Sequence, residues 1–272
     1  MRGGLGVGSA TALVVASTIG VGVFTTAGYQ AADLRNAPAI LLAWALGGVA
    51  AACGAASYAE LAAALPRNGG EVTILARAYH PVLGFSSGLV SFFAGFAAPL
   101  AASAIAFEGY ATAVFDPHLP GGALAVGLIA LATAGTLVPR VSDGLQQLLT
   151  WGKVALVVGV IGVGLAYGEP SRLLAQPRPL GDAVMDPVFA VGLVYVSYAY
   201  TGWNAAAYVA GDVDDPGRSL PRALLLGTGL ITLLYLGVHL ALLSLAPLET
   251  LAGHVEVADV AFREGIGPGA AT

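Results

Sequence analysis

STIGVGVF, residues 17–24, places two glycines one residue apart near the middle of a long apolar segment. A second stretch, YAYTGWN at residues 198–204, lies near the middle of another apolar segment. Glycine costs about 1 kcal/mol relative to alanine inside a helix, and β-branched neighbours weaken the helix further. We therefore expect each segment to be a helix that is interrupted near its midpoint.

The composition of the chain places both interruptions in a membrane. Of its 272 residues, 57% are hydrophobic and 10% are charged, whereas soluble domains carry about 25% charged residues. A soluble fold of this length would need a more polar surface. The single cysteine, Cys53, excludes an internal disulfide and a multi-cysteine metal site. We expect an all-α integral membrane protein with no metal, no cofactor and no nucleic-acid partner.

Apolar segments long enough to cross a bilayer, about 20 residues each, recur along the chain. A polar connection after the second segment has room for a short helix at Glu71–Tyr79, and the residues after Pro247 form a mixed segment that does not become another span. The arginines of the short loops favour a cytoplasmic N-terminus. We predict seven spans, at residues 7–33, 38–65, 83–114, 121–139, 145–168, 187–211 and 219–246.

The two interruptions fall in the first and sixth of these predicted spans. Glycines in membrane helices often serve close packing, but packing does not explain why both interruptions lie at mid-span. Transporters built from two inverted repeats use discontinuous helices, and their substrate binds between the breaks near the bilayer midplane. Non-helical backbone at that depth is tolerated where it lines a cavity. The spacing therefore indicates a transporter with two broken helices.

Three motifs resemble those of the amino acid–polyamine–organocation superfamily, in the order expected for it. TIGVGVF, residues 18–24, resembles the motif of its first span. YAELAAALPRNGGEVTILARAYHPVLGFSSG, residues 58–88, resembles the signature that runs from its second span into its third. YAYTGWNAAAYVAGDVDDPGRSLPRAL, residues 198–224, resembles the sixth span and following loop, especially in the L-type amino-acid transporter branch. The similarity runs from about residue 5 to residue 250.

This resemblance implies a leucine-transporter-type inverted-repeat bundle in which spans one and six are broken. Residues 1–168 would form the first five-helix repeat, and residues 187–272 would form the start of the second repeat plus an external loop. The whole of residues 1–272 would be a single transmembrane transporter domain. By comparison with the family this domain looks incomplete, truncated after its seventh span.

A zwitterionic amino acid would bring a carboxylate and an ammonium into a site of low dielectric constant, where an unpaired charge costs several kcal/mol. Free backbone N–H groups at a half-helix start suit the carboxylate, and free C=O groups at a half-helix end suit the ammonium. By resemblance, the N–H groups of residues 19–22 hold the carboxylate, and the carbonyls of Tyr198, Ala199 and Thr201 take the ammonium. The candidate substrate-binding residues are Thr18, Ile19, Gly20, Val21, Gly22, Tyr198, Ala199, Thr201 and Gly202.

The resemblance also implies specific roles for three side chains. Val21 stands where the family often has Ser or Thr, so a side-chain hydrogen bond to substrate is in doubt there. Tyr198 matches the aromatic residue that covers the substrate from outside, although an ordinary packing role is the alternative. Lys153 lies inside the fifth predicted span, where a charge is expensive. It matches the lysine of sodium-independent relatives and is a candidate for proton coupling, unless it only extends to the cytoplasmic interface.

The resemblance implies a secondary active transporter, a permease rather than an enzyme, that moves amino acids through the lipid bilayer by alternating access. Neutral substrates are expected because neither break contains Asp or Glu. A multi-pass protein of the plasma membrane with a cytoplasmic N-terminus is expected. Two alternatives stay open, namely a polyamine or organic-amine carrier of the same fold and a membrane amino-acid sensor that does not transport.

Overall fold

The computed structural model describes residues 4–115, 120–137, 139–174 and 177–267. Among these residues the regular elements are helical, apart from an isolated parallel bridge between Leu5 and Val213. The predicted all-α fold is therefore confirmed. The α-helices are α1 (Val7–Thr18), α2 (Gly22–Leu34), α3 (Ala37–Ala64), α4 (Glu71–Ala78), α5 (Pro81–Val90), α6 (Ala98–Phe115), α7 (Ala123–Thr136), α8 (Pro139–Tyr167), α9 (Leu180–Met185), α10 (Pro187–Ala199), α11 (Ala205–Tyr208), α12 (Pro216–Leu245), α13 (Leu248–Leu251) and α14 (Val257–Gly265). A π-helix, Ser91–Ala97, joins α5 to α6, and single 3-10 turns are formed by Pro170–Leu173 and Ala210–Asp212.

Several of the described helices are long and apolar enough to cross a membrane. Four do so alone, namely α3, the continuous segment Pro81–Thr112, Leu148–Tyr167 within α8, and α12. The pair α1 and α2 meets the same criterion as one span bent by 44° at its break. These helices make the chain a multi-pass membrane protein. Because α7 and α10 are apolar but shorter, the count of seven spans stays a prediction.

The helices form two compact units, of which the first consists of Met1–Gly70 with Val154–Thr272 and the second of Glu71–Lys153. In the first unit α3 and α12 lie side by side, α1 packs against α12, and α10 packs against α2 and α3. Its core includes the fully buried side chains of Trp44, Tyr200 and Tyr235. Both helix breaks belong to this unit, so the candidate site is built within it.

The second unit contains the short helix that the sequence predicts after the second span. This helix, α4, ends at Ala78, one residue before the predicted end. The carboxylate of Glu108 accepts hydrogen bonds from the backbone N–H groups of Gly122 (2.6 Å) and Ala125 (2.9 Å). An anion is stabilised by the free N–H groups at a helix start. Glu108 therefore fixes the start of α7 against α6.

The starts of α3 and α10 are set by capping side chains. Asn36 accepts a hydrogen bond from the N–H of Ala39 (2.8 Å), and Asp186 accepts one from the N–H of Val188 (2.9 Å). In both helices a proline occupies the first turn, where its missing N–H costs nothing. Arg178 joins the two caps, because its carbonyl accepts from the Asn36 amide (2.7 Å) and its guanidinium lies 2.8 Å from the Asp186 carboxylate.

Beyond α12 the described residues form only α13 and α14. These helices have 4 and 9 residues, so neither is long enough to span a bilayer. They pack against α2 and against each other. A close backbone contact fixes this packing, since the N–H of Gly253 donates to the carbonyl of Gly28 at 2.9 Å. The segment after Pro247 therefore lies against the second half of the first broken helix rather than forming another span.

Candidate functional site

The first predicted break is present in the structure. α1 ends at Thr18, and α2 begins at Gly22. Between them Ile19 takes an extended conformation (φ −68°, ψ 107°), which turns the chain out of the helix. The two half-helices are bent by 44° relative to each other. This confirms that the chain of the first span is interrupted where the glycine pair predicts it.

The second predicted break is also present, but the chain beyond it is not one continuous half-helix. α10 ends at Ala199, and the chain turns through residues 200–204 before α11 and a 3-10 turn that reaches Asp212. Gly202 has φ +115°, a conformation that is readily adopted only by glycine. The helix therefore cannot continue through this residue. The second half of the predicted span is two short helical pieces.

The two breaks lie directly against each other. A Cβ atom on Gly202 would lie 2.6 Å from the carbonyl oxygen of Ser17 and 2.9 Å from the N atom of Thr18. On the other side, a Cβ atom on Gly22 would lie 3.5 Å from the Cβ atom of Ala199. The absence of a side chain at Gly202 thus lets the end of α1 approach the turn after α10. The structure brings the two sets of candidate residues into one site.

Tyr235 of α12 links the two breaks. Its buried hydroxyl lies 2.7 Å from the carbonyl oxygen of Thr18 and 3.1 Å from that of Ala199, in position to donate to either. The backbone of Gly20 also lies near this hydroxyl. The sequence does not single out this residue, because a tyrosine inside an apolar span is equally consistent with packing. Its polar tip at mid-span is the signal that marks it.

Hydrogen bonds within the chain narrow the set of free N–H groups. The N–H of Ile19 donates to the carbonyl of Val15 at 3.0 Å, and the backbone of Gly20 lies near the Tyr235 hydroxyl. The N–H groups of Val21 and Gly22 have no acceptor among the described residues. They lie at the start of α2, where the helix dipole is positive. The start of α2 is therefore the part of the first break that can bind an anion.

The carbonyl groups of the second break also differ in whether they already accept a hydrogen bond within the chain. The carbonyl of Tyr198 accepts from the N–H of Thr201 at 3.0 Å, and the carbonyl of Ala199 accepts from Tyr235. The carbonyl of Thr201 has no donor within the described part of the chain. Because each carbonyl oxygen has two lone pairs, all three can accept a further hydrogen bond. The end of α10 is suited to a cation.

The side chains around the breaks are uncharged. Residues 7–32 and 187–211 contain no Asp, Glu, Lys or Arg. The hydroxyl groups of Thr18 and Thr201 donate to carbonyls one turn earlier, at 2.8 Å and 3.4 Å. The ring of Tyr198 lies 3.9 Å from a Cβ atom built on Gly22, and 48% of the residue is exposed. The polar groups that the two breaks offer are therefore mainly backbone groups, beside one aromatic ring.

Lys153 is the last residue of the second compact unit, whereas both breaks belong to the first. Its side chain is exposed on α8, within the apolar segment Leu148–Tyr167. Its coupling role stays a prediction.

A buried polar network lies beside the breaks, and no sequence motif predicts it. Gln30 and Trp44 are fully buried, and the indole N–H of Trp44 donates to the Gln30 side-chain oxygen at 2.8 Å. The hydroxyl of Tyr200, in the second break, donates to the carbonyl of Trp44 at 3.1 Å. The ring of Trp44 stacks on His239, with ring centroids 4.0 Å apart. These side chains join α2, α3 and α12 to the second break.

Comparison with known proteins is consistent with an interrupted-helix site of this kind. Residues 5–264 match the family model described as amino acid permease. The chain is 26% identical to the b(0,+)-type amino acid transporter 1 of Mus musculus over 256 residues, which cover 91% of this chain and 52% of that protein.

Two further relatives have similar coverage. The chain is 28% identical to the serine/threonine exchanger of Bacillus subtilis, over 86% of this chain and 53% of the exchanger. It is also 28% identical to the large neutral amino acids transporter small subunit 2 of Oryctolagus cuniculus, over 92% of this chain and 49% of that protein. The chain spans about half the length of the curated relatives it matches.

Proposed function

The chain belongs to the amino acid permease family, and we propose that it carries the substrate-binding breaks of a secondary active transporter, which moves neutral amino acids across the plasma membrane by alternating access. The observation that carries this proposal is the contact between two helix breaks whose segments carry no charged side chain, with free N–H groups on one side and C=O groups that can accept a further hydrogen bond on the other. The names of the relatives, which are amino-acid transporters and exchangers, support it.

The start of α2 is the carboxylate subsite in this proposal. The N–H groups of Val21 and Gly22 are free among the described residues, and a helix start favours negative charge. Ile19 and Gly20 help to shape this subsite, and the N–H of Ile19 is already used within the chain. Gly22 leaves room for the carboxylate to approach the backbone, because it has no side chain.

The end of α10 is the ammonium subsite. An ammonium group has three N–H bonds to donate, and the carbonyls of Tyr198, Ala199 and Thr201 provide three acceptors at the second break. Tyr235 keeps the end of α1 and the end of α10 together, because its hydroxyl lies within hydrogen-bond distance of the last carbonyl of each. In this way the two breaks bind the two ends of one amino acid with no charged side chain.

Neutral side chains are favoured because an acidic or basic substrate side chain would find no opposite charge near the breaks. Residues 7–32 and 187–211 carry no ionisable acid or base of the Asp, Glu, Lys or Arg type. A buried charge without a partner costs several kcal/mol. A polyamine, which carries several ammonium groups, is disfavoured for the same reason.

Two further roles complete the proposal. Tyr198, which is half-exposed beside Gly22, covers the substrate from the outer side. Lys153 couples transport to proton movement, since a basic group within an apolar segment is costly and functional by default. The N-terminus is cytoplasmic, and residues 1–168 and 187–272 correspond to the first repeat and the start of the second.

Uptake of radiolabelled amino acids by the full-length native protein in liposomes tests the proposal. We expect saturable uptake of neutral amino acids such as L-leucine, L-serine or L-alanine, and much weaker uptake of L-lysine and of spermidine. A proton gradient should change the rate in the wild type but not in Lys153→Ala, whereas a sodium gradient should have no effect.

The outcomes separate the competing functions. No saturable uptake of any amino acid, with either gradient, would contradict the transport proposal. Binding of a neutral amino acid without flux would identify a sensor instead. Faster uptake of spermidine than of neutral amino acids would identify an organic-amine carrier. An unchanged proton response in Lys153→Ala would remove the coupling role alone.

A further inference from the structure

Gln30 is a polar side chain in a place where polar side chains are costly. It is 0% exposed and lies on α2, within the first apolar span. A buried amide without partners would cost about 1–3 kcal/mol. Polar residues inside a membrane are therefore rare and functional by default. The hydrogen-bond partners of the Gln30 side chain therefore indicate its role.

Both ends of the Gln30 amide are used, and they join three helices. The NH₂ group donates to the carbonyl of Gly192 on α10 at 3.3 Å. The side-chain oxygen accepts from the indole N–H of Trp44 on α3 at 2.8 Å. An amide offers both donors and an acceptor without carrying a charge. A hydrophobic residue could fill the space but could make neither bond.

The position of this bond relative to the breaks gives it a consequence for the site. α2 and α10 touch at their broken ends, where Gly22 meets Ala199. Gln30 is eight residues further along α2, about 12 Å away, and Gly192 is seven residues back along α10, about 10 Å away. Two points of contact fix both the separation and the tilt of two rods. The Gln30 bond is the second of these points.

α2 and α10 are closely packed at Gly192. A Cβ atom at this position would be in ordinary contact with the Gln30 nitrogen, at 3.5 Å, and with a methyl carbon of Leu34, at 3.6 Å. Trp44 holds the Gln30 oxygen from the other side and is itself fully buried. The amide is therefore held in one orientation.

On the basis of the proposed transport function, we propose that Gln30 is a positioning residue that sets substrate specificity. By fixing the distance between α2 and α10, it fixes the distance between the carboxylate subsite at the start of α2 and the ammonium subsite at the end of α10. The spacing selects α-amino acids, in which one carbon atom separates the two charged groups, over β-amino acids, in which two carbon atoms do.

Isomeric substrates test this spacing directly. L-alanine and β-alanine contain the same atoms, and so do L-leucine and β-leucine, but the amino group is one carbon further from the carboxylate in each β-isomer. In the full-length native protein we expect Gln30→Met to lower the preference for the α-isomer on the order of tenfold, because the variant loses both hydrogen bonds. The loss should come mainly from a higher KM for the α-isomer.

Three more variants make the result specific. Gln30→Glu keeps an acceptor and, in its neutral form, a donor, so it should restore most of the preference. Trp44→Phe removes the indole donor, together with part of the ring that stacks on His239, and should lower the preference in the same direction by a smaller factor. Asp33→Asn, an exposed position on the same helix, should leave the preference unchanged. If Gln30→Met does not fold, Trp44→Phe decides the question with the same ratio.

The results are distinct from those of the transport test. If the wild type takes up no amino acid, the proposed function fails. If the wild type transports and Gln30→Met folds but keeps the wild-type preference between isomers, Gln30 is a packing residue and the inference is overturned. An unchanged preference in Trp44→Phe, where Gln30→Met is not obtained, overturns it equally.

Discussion

At the scale of single residues, the hydroxyl of Tyr235 is the group that holds the two breaks together. It is buried, and it reaches the last carbonyl of α1 and the last carbonyl of α10. Those carbonyls come from segments that are 181 residues apart, between Thr18 and Ala199. One side chain on a third helix, α12, therefore helps to keep the ends of α1 and α10 next to each other.

Tyr235→Phe should weaken substrate binding and lower the thermal unfolding temperature. The variant removes the one hydroxyl proton that these two buried carbonyls share, and a lost hydrogen bond is worth about 1 kcal/mol. Binding of radiolabelled neutral amino acid should weaken on the order of tenfold. Tyr195→Phe is the matched control, because Tyr195 is partly exposed on α10 and its hydroxyl has no hydrogen bond to either break in the described part of the chain. Equal behaviour of the two variants would contradict the role of Tyr235.

Gly202→Ala should be severely destabilising. Alanine at φ +115° is strained, and its Cβ atom would lie 2.6 Å from the Ser17 carbonyl oxygen. The left-handed conformation alone costs about 1–2 kcal/mol for an L-residue, and relief of the overlap must separate the breaks. The variant should lose substrate binding in the radioligand assay.

Gly229→Ala provides the control for this substitution. Gly229 lies in α12, and nothing lies within 4 Å of a Cβ atom built on it. Alanine is the better helix former by about 1 kcal/mol, so this variant should bind substrate normally and unfold at the same or a higher temperature. Normal binding by Gly202→Ala would show that the two breaks do not need their close contact.

At the scale of the helices, the structure shows where each one is held. α3 and α10 begin at Asn36 and Asp186, and Arg178 joins these two caps. The backbone N–H of Val188 and then the guanidinium of Arg178 hold the pKa of the Asp186 carboxyl below its usual range. The folded state therefore prefers the ionised carboxylate at the start of α10.

Acidification should remove the contribution of Asp186 to stability. A carboxyl with a lowered pKa in the folded state contributes stability above its ordinary pKa, and this contribution disappears as the pH falls through the folded value. Asp186→Asn keeps a capping oxygen but loses the charge. Its unfolding temperature should lie below that of the wild type at about pH 7, and the difference should shrink as the pH falls below about 4.

The control for the pH experiment is Asp182→Asn, since Asp182 is exposed on α9 and its carboxylate is not a cap. This variant should follow the wild type across the same pH range. A constant difference between Asp186→Asn and the wild type at all pH values would contradict the charge-based explanation. The stability difference would then come from the geometry of the cap and not from its charge.

At the scale of the whole molecule, three distant segments meet at the end of the first unit that carries the N-terminus. Leu5 donates to the carbonyl of Asp212 (2.8 Å) and accepts from the N–H of Asp214 (3.0 Å). The side chain of Asn68 donates to the Asp212 carboxylate (2.9 Å) and accepts from the N–H of Gly211 (2.8 Å). The N-terminal segment, the loop after α3 and the loop after α11 therefore lie at the same end of the first unit.

The orientation of the protein in the membrane can be tested through the two ends of α3. Its 28 residues correspond to about 42 Å at 1.5 Å per residue, so Arg35 and Arg67 lie on opposite sides of a bilayer. With Cys53 replaced by Ala, Arg35→Cys should react with an impermeant thiol reagent in intact cells. Arg67→Cys should react only after permeabilisation. The reverse pattern would place the N-terminus outside.

Much of the fold could be predicted from local sequence signals. The apolar segments, the short helix from Glu71 and the interruption at the glycine pair each depend on residues that are close in the chain, because helix propensity and hydrophobicity act locally. The extent of the segment after Gly202 was less predictable. Its 3-10 turn and the adjoining loop are held by the N-terminal segment and by Asn68, which are far away in sequence.

A helical membrane protein with two interrupted helices can be read from the amino-acid sequence, since glycine pairs and uncharged apolar runs carry that information locally. The packed helices were needed to show that the breaks touch, that Tyr235 bonds to both, and that Gln30 joins α2 to α10. The physical reason is that a hydrogen bond between residues 18 and 235, or 30 and 192, depends on how whole helices pack. A local pattern cannot specify which buried donor meets which carbonyl.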